Sequence, residues 1–265
     1  MAGIFKAYDI RGIYGKDLTD DIAFKIGRAV ATFLKPKTFV IGHDMRPHST
    51  PLFNAMAKGL TMQGVDVINI GLVSTPMSYH ANGKLGADGS AIITASHNPG
   101  EWNGMKLCRE LAIPVSGATG IADIERIVMA EAFDAPAAKP GKVTTYDIKP
   151  EYFAHIRTFA KIKKPLKVVI DYANGMGISE GGVFTGKMFD ITPMYDVLDG
   201  TFPNHEANPL DLHTLHDISA KLKKGGYDFG IAFDGDADRA GFLDENGEVV
   251  TMDMITALVA QSMLE

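Results

Sequence analysis

The 265-residue sequence contains one cysteine, Cys108, and one tryptophan, Trp102. A lone thiol excludes an intrachain disulfide, so packing and hydrogen bonds must hold the fold, and such cysteine poverty suits a reducing compartment. No run reaches the roughly 18 apolar residues that a membrane-spanning helix needs. No segment is of low complexity, and the opening MAGIFKAYDIRG is too poor in apolar residues for a secretory leader. These absences predict a cytoplasmic protein without a membrane partner. There is also no long block of like charge. The formal net charge of -6 argues against a nucleic-acid surface and leaves small anions, met by locally gathered cations, as the charged ligands to expect. A hydrophobic fraction of 46% against 22% charged residues belongs to a packed protein rather than a disordered one, and the length allows two cores.

From Thr38 a strand (TFVIG), a polar loop (HDMRPHST), a helix-spaced stretch (PLFNAMAKGLTMQG) and a second strand (VDVINIG) follow one another, and GSAIIT reads as a third strand. The order recurs from Lys167 with KVVID, the turn YANGMG, the helix-spaced ISEGGVFTGKMF, and the strands DITPMYD and YDFGIAFD. This coarse repeat predicts an α/β protein of two consecutive domains of similar topology, each a mostly parallel sheet between helices. The segment EAFDAPAAKPGKVTTYDIKP, rich in Ala, Pro and Lys, reads as the linker, which places the first domain at 1–148 and the second at 149–250. MDMITALVAQSMLE has helical spacing but no glycine stop, so residues 251–265 read as the first helix of a truncated third unit. A terminal helix docked back on the second domain is the alternative. Ligands of open α/β sheets gather beyond the carboxyl ends of strands, so two corresponding polar loops, one in each half, are expected to face one cleft.

The second of those loops, FDGDADRAGFLDE, carries three carboxylates at alternate positions, Asp234, Asp236 and Asp238. Each pair held about 4 Å apart repels by roughly 4 kcal/mol at an effective dielectric near 20, so something positive must sit among them. A calcium loop of the EF-hand type is excluded by Arg239 at the sixth position, where glycine is required, and by flanks that read as strands. Magnesium suits the set better, because it takes few carboxylates together with a phosphate oxygen. The first loop, TASHNPGEWNGMK, holds up Ser96 beside His97. It lacks the G-x-S-x-G pattern of a hydrolase nucleophile, and adjacent side chains seldom point the same way. A phosphorylated Ser96 is the better use of the loop: it brings roughly -1.5 to -2 charges and the oxygen ligand that the aspartates lack. Arg11, Lys106 and Arg239 would then roughly neutralise the combined charge. His43, His48 and His205 read as loop hydrogen-bonding residues, and Trp102 as packing at the base of the serine loop. Gly175 and Gly177 fit either a phosphate cradle or a strand-to-helix turn.

The motifs TASHNPGEWNGMK, FDGDADR, KAYDIRG and GHDMR together resemble the α-D-phosphohexomutases, in particular the bacterial phosphomannomutase/phosphoglucomutase branch. The resemblance implies that Ser96 is the phosphoserine, that Ser96, Asp234, Asp236 and Asp238 ligate Mg2+, that Arg11, His97 and Lys106 line the reaction centre, and that Tyr8 and Arg239 meet the substrate. It implies transfer of phosphate between the 1 and 6 positions of a mannose or glucose phosphate, with the hexose 1,6-bisphosphate as intermediate and activator. DGTFPNHEANP, from Asp199, is a further family-like segment without an assigned role. Members of that family have four domains, and the sugar-gripping E-x-S-G-H-like and R-x-S-like loops of the last two do not occur in these residues. Full activity is therefore expected only together with the C-terminal domains, as partners of the present residues. The rival readings are a non-catalytic sugar-phosphate or metal-binding module, and a phosphatase reusing the same serine.

Overall fold

A computed structural model describes residues 2–264. In chain order its elements are β1 (Ile10–Ile13), α1 (Asp20–Leu34), β2 (Thr38–His43), α2 (Ser49–Met62), β3 (Asp66–Leu72), α3 (Thr75–Leu85), β4 (Gly89–Ile93), β5 (Trp102–Arg109), α4 (Ile121–Ala130), β6 (Val143–Thr145), α5 (Lys149–Arg157), β7 (Leu166–Asp171), α6 (Gly177–Glu180), β8 (Phe189–Met194), α7 (His216–Leu222), β9 (Phe229–Phe233), β10 (Ala240–Leu243), β11 (Val249–Val250) and α8 (Met252–Leu264). No helix among the described residues is long and apolar enough to cross a membrane.

Local sequence explains the principal helices. Thr19 caps α1 by accepting from the Ile22 amide, Asp20 and Asp21 occupy its first turn, and Ile22, Ala23, Ile26 and Val30 form its buried stripe. Ser74 caps α3 in the same way, and Gly86 ends it in the left-handed conformation. In the first unit β2, β3, β4 and β5 with the helices α1, α2 and α4 enclose one core that contains Ile26, Phe39, Ile41, Met56, Leu60, Ile93 and Met105. The opposite face of that sheet packs Val40, Ile70, Met77 and Ile92 with Ile148 and Tyr152. The second unit repeats the arrangement with smaller clusters around Val169, Leu215 and Ile218 on one face and Val168, Ile170 and Ile231 on the other.

The α/β class and the internal repeat hold. The two sheets run β1-β5-β4-β2-β3-β6 and β11-β10-β9-β7-β8. Their centres are parallel, β4-β2-β3 in one and β9-β7-β8 in the other, and each carries an antiparallel edge, β5 with β1 and β10 with β11. The serine loop joins β4 to β5 and the acidic loop joins β9 to β10, so the two loops occupy equivalent hairpin positions. The sequence pattern had left β1, β5 and β11 unread.

Other segments depart from the pattern. The helix expected over ISEGGVFTGKMF is one turn, α6, followed by a short 3-10 turn at Gly181–Val183, because successive glycines cannot sustain it. The stretch read as a linker is laced to the first unit: β6 pairs in parallel with β3, and the Ala137 amide donates to the Met62 carbonyl. The division proposed at 148/149 falls at the head of α5. That helix serves both units, since Tyr152 joins the first unit's core while Arg157 donates to the Val183 carbonyl at 3.4 Å. No residue of α8 is buried, so the terminal helix is not docked on the second unit.

Candidate functional site

Strand β4, buried at every position, carries the chain to Thr94 and Ser96. Ser96 has φ +54, a left-handed backbone stabilised where its amide donates to Thr94 Oγ1 at 2.9 Å. This turn also brings Ser96 Oγ within 3.3 Å of His97 Nδ1, so the neighbours do point the same way, against expectation. The reason is the left-handed residue, which breaks the alternation of an extended chain. No hydrolase pair results, because the same His97 nitrogen faces Arg239 Nη1 at 3.0 Å and is therefore its acceptor. Burial, then Arg239 and Arg11, hold the His97 imidazole below its ordinary pKa and neutral.

The loop is held from beneath by two arginines. Arg46, 2% exposed, donates Nη1 to the carbonyls of Pro99 (2.6 Å) and Trp102 (3.0 Å), and Nη2 to those of Ser96 (2.9 Å) and Asn98 (2.7 Å). Its Nε pairs with Asp44 at 3.2 Å, and Asp44 in turn accepts from Ser49, which accepts from Asn103. Arg11 reaches Asn98 Oδ1 at 2.5 Å and the Ala95 carbonyl at 3.2 Å, with its Nε on Asp9. The GHDMR motif marks Arg46 in the sequence without assigning it a role at the site. Its signal was the polar run HDMR directly after a buried strand, where an arginine two residues from an aspartate folds back into the structure.

The acidic loop supplies the opposite wall. Asp234 and Asp236 are fully buried and Asp238 is exposed, and one oxygen of each lies within 4.8 Å of the others. Ser96 Oγ donates to Asp234 Oδ2 at 2.9 Å, so the two hairpin loops meet at their functional atoms. Gly235 permits the approach: a Cβ there would stand 2.3 Å from the Ser96 carbonyl oxygen. Lys106, on β5, places Nζ 2.5 Å from both Asp236 and Asp238, and Thr75 Oγ1 donates to Asp236 at 2.5 Å. Burial, followed by the charges of Asp236 and Asp238, raises the Asp234 carboxyl far above its ordinary range. Burial pushes Asp236 upward too, but the Lys106 charge and hydrogen bonds outweigh it and keep that carboxyl ionised. Burial works against the Lys106 ammonium, while Asp236 and Asp238 raise its pKa overall, so it carries positive charge here rather than accepting a proton.

The residues fit a small hard cation. Asp236 Oδ1 is a buried carboxylate oxygen without a hydrogen-bond partner, the neighbouring donors are all oxygen, and Ser96 Oγ adjoins them. The flanking strands β9 and β10 bear out the rejection of a calcium-loop helix pair. Of the residues expected at the site, the fold brings together Ser96, His97, Lys106, Arg11, Arg239, Asp234, Asp236 and Asp238, whereas Tyr8 is 80% exposed and, among the described residues, makes no hydrogen bond or ion pair with them. His48 hydrogen-bonds the Gly100 carbonyl in the serine loop, and His205 the Asp171 side chain at the end of β7. A Cβ on Gly175 would press on the Gly235 carbonyl and one on Gly177 on the Phe233 ring, so both glycines serve a close-packed turn.

Two α/β units whose equivalent hairpins join a serine to an acidic triplet define the α-D-phosphohexomutase class. Comparison with known proteins agrees. Residues 2–135 match the family model described as phosphoglucomutase/phosphomannomutase, alpha/beta/alpha domain I, and residues 150–247 match that of domain II. The chain belongs to the phosphoglucomutase/phosphomannomutase family. It is 42% identical to a phosphomannomutase of Escherichia coli over 100% of this chain and 60% of that one. A phosphoglucomutase of Neisseria meningitidis is 40% identical over 98% of this chain and 57% of its own. A crystal structure of a phosphoglucomutase/phosphomannomutase family protein from Burkholderia thailandensis superposes with a TM-score of 0.93 at 33% identity, covering 100% of this chain and 59% of that chain. The chain thus spans about three fifths of the length of these relatives.

Proposed function

We propose that these residues are the phosphoryl-donor half of a phosphohexomutase that interconverts hexose 1- and 6-phosphates of mannose or glucose. The observation that carries this reading is the 2.9 Å contact between Ser96 Oγ and Asp234, formed across two separate units. In the proposed cycle Ser96 carries the phosphoryl group. Its Oγ–P bond breaks as a bond forms from phosphorus to the free hydroxyl of the sugar monophosphate, and the proton that this hydroxyl loses is balanced by the one that the departing Ser96 Oγ takes up. The 1,6-bisphosphate reorients, and its other phosphate returns to Ser96 Oγ.

Such transfers have loose transition states, so positioning and charge do most of the work. Asp234, Asp236 and Asp238 would hold Mg2+ together with the phosphoryl oxygen on Ser96, and the ion would draw charge from the transferred group. Arg11 and Arg46 fix the loop that presents Ser96. Lys106 and Arg239 offset the negative charge around it, and neutral His97 orients Arg239. Tyr8 and Arg239 are the substrate-facing candidates. Gripping and selection of the sugar fall to the remaining length found in the relatives.

The full-length protein, given mannose 1-phosphate, a trace of glucose 1,6-bisphosphate and Mg2+, is expected to form the 6-phosphate, and Ser96→Ala to form none. Turnover unaffected by Ser96→Ala refutes the reading. Steady release of inorganic phosphate without isomerisation would mark a phosphatase instead, and neither reaction would mark a binding module.

A further inference from the structure

The segment DGTFPNHEANP begins at Asp199 and belongs to the second unit, yet it lies against the serine loop of the first. Thr201, Phe202, Glu206 and Ala207 face His97, Asn98, Pro99 and Gly100 across a cavity of about 80 Å³. The Phe202 ring stacks under the Arg46 guanidinium, 5.0 Å from its central carbon to the ring centroid. On its other side the Phe202 ring tip would stand 3.3 Å from a Cβ placed on Gly235, between Asp234 and Asp236. One side chain therefore lies against the arginine that binds four carbonyls of the serine loop and fills the space beside Gly235 in the acidic loop.

The backbone is built to hold it there. Phe202 has φ +53, a conformation that costs a bulky residue energy and persists only where its surroundings dictate it. Its amide donates to the Asp199 carbonyl, and Asp199 Oδ1 accepts from both the amide and hydroxyl of Thr201. The segment is tied to the end of β7: the Asp199 amide donates to the Asn174 carbonyl, Asn204 donates to the Asn174 side chain, and His205 meets Asp171 at 3.1 Å. At the other end, a Cβ on Gly200 would stand 2.6 Å from Arg46 Cα, so this backbone reaches the arginine directly.

We infer that Phe202 is a positioning residue, seated between Arg46 and Gly235, which locks the serine loop of one unit in register with the acidic loop of the other. The inference deepens the phosphoryl-transfer reading and rests on it for its effect on rate. A planar ring beside a desolvated guanidinium stabilises it by cation–π attraction, which an aliphatic side chain of similar size cannot supply. Phe202 touches no reacting atom, and its influence passes through Arg46 to the four loop carbonyls.

The test compares Phe202→Leu with Phe202→Trp, which restores an aromatic face. Two readouts are taken from the intact protein: uptake of phosphate on Ser96 from glucose 1,6-bisphosphate with Mg2+, followed by mass, and amide hydrogen exchange at Asn98 and Trp102, whose turn hydrogen bonds define the serine loop. Phe202→Leu is expected to slow uptake by roughly tenfold or more, since small misplacements of reacting groups are costly, and to speed exchange at those two amides while Ile92 in β4 keeps its protection. Phe202→Trp is expected to recover both. Unchanged uptake and exchange in Phe202→Leu, or a Phe202→Trp protein as impaired as the leucine variant, overturns the inference. If the unaltered protein takes up no phosphate, the phosphoryl-transfer reading falls, and the exchange comparison alone decides whether Phe202 orders the loop. Loss of protection at Ile92 as well would show a general structural role and overturn the positioning claim.

Discussion

Ser96 occupies a left-handed backbone conformation that costs a non-glycine residue roughly 1–3 kcal/mol, offset by the hydrogen bonds that Arg46 and Arg11 donate to the loop carbonyls. Comparing Ser96→Gly with Ser96→Ala isolates that cost, since both lose the hydroxyl. The glycine variant is expected to be more stable by about 1 kcal/mol in denaturant unfolding, with neither variant able to carry phosphate. Asp234 provides a second test at this scale. Burial and the charges of Asp236 and Asp238 raise its carboxyl from 3.8 to about 8, so between those values the folded chain keeps a proton that the unfolded chain releases. Stability of the metal-free protein should therefore fall as pH rises from about 4 to about 8, and Asp234→Asn should remove that fall. A pH-stability curve that is the same in both proteins would contradict the assigned burial. Ser96 and the aspartates were legible in the sequence because their chemistry is local: a hydroxyl in a turn, and carboxylates too close to coexist unaided. Arg46 was visible as part of a motif but its role was not, since the carbonyls it binds lie about fifty positions away.

At the scale of elements, the site depends on two hairpins touching at Gly235. Gly235→Ala places a methyl group against the Ser96 carbonyl oxygen, a backbone atom that has no flexible end to yield. The expected result is a loss of stability of about 1–3 kcal/mol by chemical unfolding together with a marked loss of phosphate uptake, whereas Gly3→Ala, with open space around it, should change neither. Equal behaviour of the two variants would contradict the close approach. The parallel strands and the principal helix α2 could be read from apolar periodicity. Strand β5 could not, because its first half, Trp102 to Gly104, buries an asparagine that serves Ser49 and His48 and a glycine pressed against the Ile10 carbonyl. The short α6 was overread for the opposite reason: its apolar spacing suits a helix, but its glycines do not hold one.

For the whole molecule, the repeat seen in the sequence becomes two sheets that present equivalent hairpins to each other. What the sequence did not disclose is how the halves are joined: Ser74 to Glu180, Thr75 to Asp236, and α5 shared between them. The two side-chain contacts join residues more than a hundred positions apart, and no local pattern encodes them. Because the acidic cluster draws on both halves, Mg2+ should stabilise the molecule as a unit. At a hundred times its dissociation constant the expected gain is about 2.7 kcal/mol, seen as a raised unfolding midpoint and absent in Asp236→Asn. The central claim is that phosphate on Ser96 and the three carboxylates share one divalent ion. Titration calorimetry of Mg2+ into the protein with and without phosphate on Ser96, the phosphate verified by mass, tests it most directly. The account predicts binding at least about tenfold tighter to the phosphorylated form, where the added oxygens complete the ligand set. Equal affinity in the two forms would contradict it.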